Sequence, residues 1–311
     1  MADPLPSWNV GAAKTAILDF IDRVAQEGGG DYVAPTDRIA VVDNDGTLWC
    51  ERPAYAQALF LLGRLREQAA QDPELAAQPV VKALLAGDLE GAGRYGLEAV
   101  AAVLLHTHSG LTTEEFADTA ARWLAEAKHP RFGVRFGELT YVPMLELLDL
   151  LRSRDFRVFL VTGGGVEFVR AVSEQLYGVT PDDVVGSAVQ VSFERRDGRV
   201  VLVRQPALLG SPNEGPPKPI NIQSHIGRRP ILAAGNSAGD REMLEYTHTG
   251  DLPSLCIVVD HDDAQREYAY ASASVTDPDA EPILDTASRF GWTVVSVRED
   301  WNRVFAPGKI P

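Results

Sequence analysis

Arg38-Ile39-Ala40-Val41-Val42-Asp43-Asn44-Asp45-Gly46-Thr47-Leu48 is a short apolar run that ends abruptly in two carboxylates, a glycine and a threonine. Ile39 to Val42 is rich in β-branched residues and has no helical spacing, so it reads as a buried strand of a parallel sheet. Asp43 then stands at the carboxyl end of that strand, the edge where open α/β sheets bind ligands. Asn, Asp and Gly are also ordinary turn residues. Asp-x-Asp-Gly-Thr in a strand-then-turn setting is nevertheless a demanding pattern, and a site is the stronger reading.

Two carboxylates so placed suit phosphoryl transfer, which needs a nucleophile, a proton donor for the leaving oxygen and positive charge around the transferring group. Asp43 and Asp45 can divide the first two tasks. A turn after Asp43 brings the second carboxylate over the scissile oxygen and lets a main-chain carbonyl face a cation. A carboxylate opposes an anionic phosphate, so the pattern calls for a hard divalent ion, and Mg²⁺ with oxygen ligands is the expected one.

Other parts of the chain supply the missing charges. Phe156 to Val161 is a second strand candidate that ends in Thr162-Gly163-Gly164-Gly165, and helical spacing follows from Val166 to Tyr177. A hydroxyl and glycine amides at a helix start form an anion site. Lys218 is the only lysine between Lys128 and Lys309, and the Pro- and Gly-rich stretch Leu209 to Pro219 reads as the loop that delivers it. Pro230 to Ala234 is a third strand candidate, ending in Gly235-Asn236-Ser237-Ala238-Gly239-Asp240, which places oxygen ligands at another strand end.

In that order, Asp-Asn-Asp-Gly-Thr, Val-Thr-Gly-Gly, Lys218 and Gly-Asn-Ser-x-x-Asp resemble the motifs of the haloacid dehalogenase-like (HAD) superfamily, in particular its phosphoserine-phosphatase-like branch. The resemblance runs from about Ile39 to Asp260. It implies that Asp43 is phosphorylated, that Asp45 acts as general acid and then base, and that Thr162 and Lys218 hold the phosphate. It also implies a Mg²⁺ site drawn from Asp43, Asp45, Asn236 and Asp240. The family's last motif commonly begins Gly-Asp, whereas Gly235-Asn236 puts a neutral amide in place of a charged ligand. That change shifts weight onto Asp240, directly or through water, and leaves the direct ligand open among Asn236, Ser237 and Asp240.

A length of 311 residues allows one large or two modest domains, and 45% hydrophobic composition is ample for a packed core. The net charge of -15 argues against nucleic-acid and acidic-membrane partners, which need basic faces. Cys50 and Cys256 form no disulfide framework and read as free thiols in a reducing compartment. Met1-Ala2-Asp3-Pro4 opens no visible signal peptide, and no window is apolar enough for a membrane span. The expected location is cytoplasmic.

Gly11 to Gln26 carries a helical apolar stripe that stops at Gly28-Gly29-Gly30. From about Arg52 to Lys128 the chain is nearly all helical in pattern, with stripes at Leu59, Leu62 and Leu65, at Val80, Val81, Leu84 and Leu85, at Leu97, Val100, Val103 and Leu104, and at Phe116, Ala120, Trp123 and Leu124. Thr112 to Glu115 opens the last of these with a capping-box pattern. An insertion at this place looks like the superfamily's C1-type cap, a lid over the strand-end site. Trp49, Glu51 and Tyr55 follow the first motif at the seam, where, with Gly163, they are candidates to bind substrate; the aromatic and acidic groups suit a cationic or polyhydroxy leaving group. His106 and His108 stand at a helix end without a shared face, which disfavours a metal pair.

Pro143 to Leu151 reads as a helix, Val184 to Phe193 and Arg199 to Arg204 as a hairpin, and Leu255 to Val259 and Trp292 to Val297 as further strands. Asp260, His261, Asp262 and Asp263 end one of those strands, where an accessory polar role is open, but read first as a solvated acidic loop. The expectation is therefore a Rossmann-like parallel-sheet α/β core, residues 1–50 and 137–311, with an inserted α-helical C1-type cap, residues 51–136. The expected activity is Mg²⁺-dependent hydrolysis of a small phosphorylated metabolite through an aspartyl-phosphate. A dehalogenase has no leaving oxygen to protonate, so Asp45 disfavours it. A phosphotransferase or mutase would use the same residues, and a binding module without turnover would not need the second aspartate.

Overall fold

The structure, a computed structural model, describes residues 3–308. The strand expected at Ile39 forms as β1 (Ile39–Val42), buried along its whole length. After it come β2 (Arg157–Gly165), β3 (Val184–Ser187), β4 (Val189–Arg196), β5 (Arg199–Leu208), β6 (Leu232–Gly235), β7 (Leu255–Asp260) and β8 (Thr293–Ser296). Six of them make a parallel sheet in the order β3-β2-β1-β6-β7-β8. With β1 and β6 adjacent, Val42 pairs with Ala234, and the chain segments after both strands leave the sheet side by side.

Alternation along the strands explains why both faces are covered. Ala40, Val42, Leu160 and Ala234 point into one apolar layer, and Ile39, Val41, Phe159 and Ala233 into the other. The first layer is closed by α1 (Ala12–Ala25), through Ile17, Phe20, Ile21 and Val24, and by Met144, Leu147, Leu148 and Leu151 of a later helix. Each large aliphatic side chain removed from water here contributes roughly 1.5–3 kcal/mol before entropy is counted.

The helical region after β1 comprises α2 (Ala56–Gln71), α3 (Pro73–Ala77), α4 (Pro79–Ala86), α5 (Leu89–Gly93), α6 (Leu97–His106) and α7 (Thr113–Glu126). Thr112 caps α7 by accepting from Glu115 N while the Glu115 side chain accepts from Thr112 N, the reciprocal box expected from the sequence. The chain then returns through α8 (Val142–Ser153), α9 (Val166–Arg170), α10 (Ser173–Tyr177), α11 (Pro217–Ile226), α12 (Arg241–His248) and α13 (Ile283–Phe290). Ile222, Met243, Leu244, Ile283 and Ala287 of the last three close the second layer. Among the described residues no helix is long and apolar enough to cross a membrane. Cys50 and Cys256 are buried and unpaired.

Three local expectations are corrected. The helix read over Val166 to Tyr177 is two short helices, α9 and α10, separated at Ala171 and Val172. The strand read over Val184 to Phe193 is two, because after Ser187 the chain leaves the main sheet and β4 pairs only with β5. That hairpin lies against the inserted helices: Gly110 N donates to Arg204 O, Arg204 N to Leu111 O, and the Arg204 guanidinium sits over the Phe116 ring and pairs with Glu167. Lys218 lies not in a loop but in the first turn of α11. Its flanking prolines occupy positions where a helix lacks amide partners anyway, so Pro-Pro-Lys-Pro begins a helix here.

Candidate active site

The site grows from the junction of β1 and β6. Asp43 extends the ladder by donating its N–H to Ala234 O at 2.9 Å, and the chain then turns, with Asn44 O accepting from Thr47 N and Leu48 N. Gly46 has φ of +75°, and a Cβ there would stand 2.0 Å from Asn236 Nδ2. Only glycine lets the first motif approach the last this closely. The same turn aims Asp45 sideways: its Oδ1 accepts from Trp49 Nε1 at 2.9 Å, and its Oδ2 from Asn44 Nδ2 at 3.2 Å. Burial pushes the Asp45 carboxyl above the usual carboxylate range, against the pull of the Trp49 and Asn44 hydrogen bonds. An acid that keeps its proton at higher pH can deliver it to a leaving oxygen.

Lys218 is almost fully buried, and its Nζ donates to Asp43 Oδ1 at 2.7 Å and Asp240 Oδ1 at 2.5 Å. Burial alone disfavours its charge, but the carboxylates of Asp240 and Asp43 hold it above the ordinary lysine range. Asp43 is itself raised well above the usual range, first by burial and then by the neighbouring Asp240 charge, with Lys218 opposing. Asp240 Oδ2 is taken up inside its own loop, accepting from Asn236 N, Ser237 N and Ser237 Oγ. Both oxygens of Asp240 therefore serve the lysine and the loop. The Asn236 amide instead borders the cavity, within 3.4 Å of Thr47 Oγ1 and Glu51 Oε1 and 3.2 Å of Ser272 Oγ.

At the end of β2, Thr162 is buried and its Oγ1 accepts from Gly164 N at 2.9 Å. Gly165 N donates to Gln57 Oε1 at 2.7 Å, so the inserted helix α2 touches the glycine-rich end of β2 directly. The cavity between them measures about 260 Å³. Asp43, Asp45, Gly163, Gly164, Lys218 and Asn236 face it from the sheet side, and Tyr55, Gln57, Ala58, Leu61 and Leu104 from the helical side. Glu51 lines it too, and burial pushes that carboxyl up to about 7, opposed by nearby His261. Of the residues expected to bind substrate, Gly163, Glu51 and Tyr55 border the cavity. Trp49 does not: its indole is buried behind Asp45. His108 lies away from it, stacked on Phe60 with ring centroids 4.5 Å apart.

Sequence reasoning missed Gln57, Glu214 and Glu267. Glu214 borders the cavity and ties down the far segment by accepting from Ser274 Oγ at 2.7 Å and Val275 N at 2.6 Å. Nothing in a Pro- and Gly-rich stretch marks such a residue. The reading of residues 260 to 263 as a solvated loop is corrected. His261 and Asp263 are buried, because this segment folds back against the first motif and Gly46 O receives His261 Nε2 at 2.8 Å. Their position just past the end of β7 was the signal available.

Among the described residues no three His, Cys, Asp or Glu side chains converge as a metal cage, because Asp45 is turned to Trp49 and Asp240 to Lys218. The oxygen set still fits a hard divalent ion. Asp43, Asp45, Asn236 and Asp240 all border the one cavity and offer carboxylate and amide oxygens, the donors such an ion takes.

The family model for haloacid dehalogenase-like hydrolases matches residues 40–245, from β1 through most of α12. The chain belongs to the haloacid dehalogenase-like hydrolases. This HAD hydrolase is similar in structure to a functionally unknown protein from Anaerococcus prevotii DSM 20548, with TM-score 0.56 and 15% identity over 90% of this chain and 99% of that one. It is also similar to a protein of unknown function from Bordetella pertussis Tohama I, with TM-score 0.51 and 18% identity over 83% and 97%. A looser likeness, TM-score 0.40 and 15% identity over 81% and 99%, is to a phosphoserine phosphohydrolase-like protein from Francisella tularensis subsp. tularensis SCHU S4. No curated protein matches the HAD hydrolase's sequence.

Proposed function

We propose that this HAD hydrolase is a Mg²⁺-dependent phosphatase that cleaves a small phosphate monoester through an aspartyl-phosphate on Asp43. The observation that carries this reading is the pairing of Lys218 with both Asp43 and Asp240, beside an Asp45 held separately by Trp49. Asp43 attacks phosphorus while Lys218 and Thr162 hold the phosphoryl oxygens, and Asp45 gives its proton to the departing alkoxide. Asp45 then takes a proton from water, whose hydroxide displaces Asp43 and releases inorganic phosphate. Mg²⁺ would be held by Asp43, Asn236 and the main-chain carbonyl of Asp45, with Asp240 behind them. When bound, it offsets the repulsion between the Asp43 carboxylate and the phosphate. The helices α2 to α7 act as the cap, and residues 51–136 and the core are separate domains.

The chemistry of the cavity wall narrows the substrate. Among the described residues lining it, Lys218 is the one cation, and it is already paired. Glu51 and Glu214 line it as well, with Tyr55, Leu61 and Leu104. A leaving group with a second anionic group would meet carboxylates without a counter-charge, so the preferred ester has a neutral or cationic leaving group. The test is phosphate release from matched esters of alcohols, amino alcohols and hydroxy acids, with and without chelator. Activity should vanish in chelator and return with Mg²⁺, and hydroxy-acid esters should be the poorest. Full turnover in metal-free protein, or a preference for the hydroxy-acid esters, would overturn the corresponding part.

A further inference from the structure

We propose that His261 and Glu267 are positioning residues that hold Asp45 in line for proton transfer, acting through the carbonyl of Gly46. The proposal rests on the reading of Asp45 as the proton donor. Past the end of β7 the chain folds back on itself, Tyr270 N donating to His261 O at 2.9 Å, and this carries His261 under the first motif. Both side chains are buried. His261 Nε2 lies 2.8 Å from Gly46 O, and Nδ1 lies 3.1 Å from Glu267 Oε2. Glu267 is held in turn: its Oε1 accepts from Tyr141 Oη at 3.0 Å and Cys50 Sγ at 3.2 Å, and its Oε2 from Tyr268 N at 2.7 Å. The Tyr270 ring lies on the imidazole with centroids 4.5 Å apart and an interplanar angle of 12°, covering one of its faces.

The geometry converges on one residue. Asp45 precedes Gly46, and the peptide joining them, together with Gly46's positive φ, sets where the Asp45 side chain points. Trp49 Nε1 fixes the carboxylate end, and His261 fixes the carbonyl on the other side of the turn. Cys50, next to Trp49, bonds to the same Glu267 that orients His261, so both restraints on Asp45 share one anchor. A buried His–carboxylate pair is a poor source of stability compared with apolar packing of equal volume. Orientation of the turn is what this one supplies, as outer residues orient the inner ones at other sites.

The two bonds of His261 can be separated by side-chain length. Asn in its place keeps a donor near the Nδ1 position, toward Glu267, and gives up Gly46; Gln keeps a donor near Nε2, toward Gly46. With Mg²⁺ and the full chain, His261→Asn should lower kcat/KM, which reports the first chemical step, by about 10²-fold on an alkyl phosphate, whose leaving oxygen needs the acid, and by less than about tenfold on 4-nitrophenyl phosphate. His261→Gln should recover most of the alkyl-phosphate rate. A merely structural role would lower both esters equally, and equal losses, or a Gln variant no better than Asn, overturn the proposal. Asp45→Asn in the same assay separates the two layers of the argument. If it fails to discriminate between the esters, the proton-donor reading falls and takes this inference with it; if it discriminates and His261→Asn does not, only the positioning role falls. Should His261→Asn not fold, Tyr141→Phe, which keeps the ring and removes one donor to Glu267, must show the same ester discrimination at smaller amplitude, and its absence overturns the proposal.

Discussion

The floor and the roof of the cavity are built on different principles. On the floor, buried polar groups are bonded to one another: Lys218 to Asp43 and Asp240, Asp45 to Trp49, Thr162 to Gly164. The roof is mostly hydrocarbon, Ala58, Leu61 and Leu104, with Gln57 as its bonded link to the floor. A floor of interlocked charges tolerates no change in shape or sign, because each group is another's partner. A roof of aliphatic side chains can be resculpted one contact at a time. On the proposed reading the floor would carry the reaction and the roof the choice of substrate.

The contrast is most exposed at Asp43. Asp43→Asn keeps the size of the side chain and removes the nucleophile, so turnover should fall by roughly 10⁵-fold, and no phosphoenzyme should be seen by intact-protein mass after an acid quench. A variant that still carries phosphate on an aspartate would break the assignment of the floor. Asp45→Asn should cost about 10² to 10⁴-fold, and because attack survives while water activation does not, phosphoenzyme should build up with a nitrophenyl substrate.

Glu51 tests the electrostatics of the wall in metal-free protein. Its carboxyl is raised from 4.5 to about 7 in the folded state, so the wild type is favoured below the unfolded value and loses that stability as pH rises through 7. Glu51→Gln does not titrate, so its melting temperature relative to wild type should climb between about pH 4.5 and pH 7, by the equivalent of at most roughly 3 kcal/mol. A flat difference across that range would show that the carboxyl is not raised. The smallest effect belongs to the roof. Leu104→Ala should raise KM for the preferred ester by about tenfold while kcat changes less than about twofold. A kcat loss as large as that of Asp45→Asn would erase the distinction between floor and roof.

The same contrast explains what the sequence could disclose. β1, β2 and β6 were legible because four or more apolar residues in a row break into glycine and polar residues at a sheet edge, and the residues brought to the cavity at those breaks include Asp43, Asp45, Gly163, Asn236 and Asp240, with Thr162 buried behind Gly164. Helices α2, α4, α6 and α7 were legible from their stripes. Lys218 was visible as a residue but misplaced in structure, since prolines mark loops and helix starts alike. Gln57 and Glu214 left no trace, because their roles arise where segments distant in sequence meet. His261 was hidden for a further reason. Four consecutive polar residues look like a solvated loop until the return of the chain through Glu267 shows that His261 and Asp263 are covered.

The adjacency of β1 and β6 also bears on how the protein comes into being. A chain emerging from the ribosome exposes Asp43 early, yet the neighbours that seat it, Lys218 on α11 and the loop after β6, are among the later residues to be made. The Gly46 turn cannot close on Asn236 before that segment exists. During synthesis, then, the nascent polypeptide carries Asp43 without its partners, and on the proposed reading phosphate esters in its surroundings would meet a working site only after the second half of the sheet has docked.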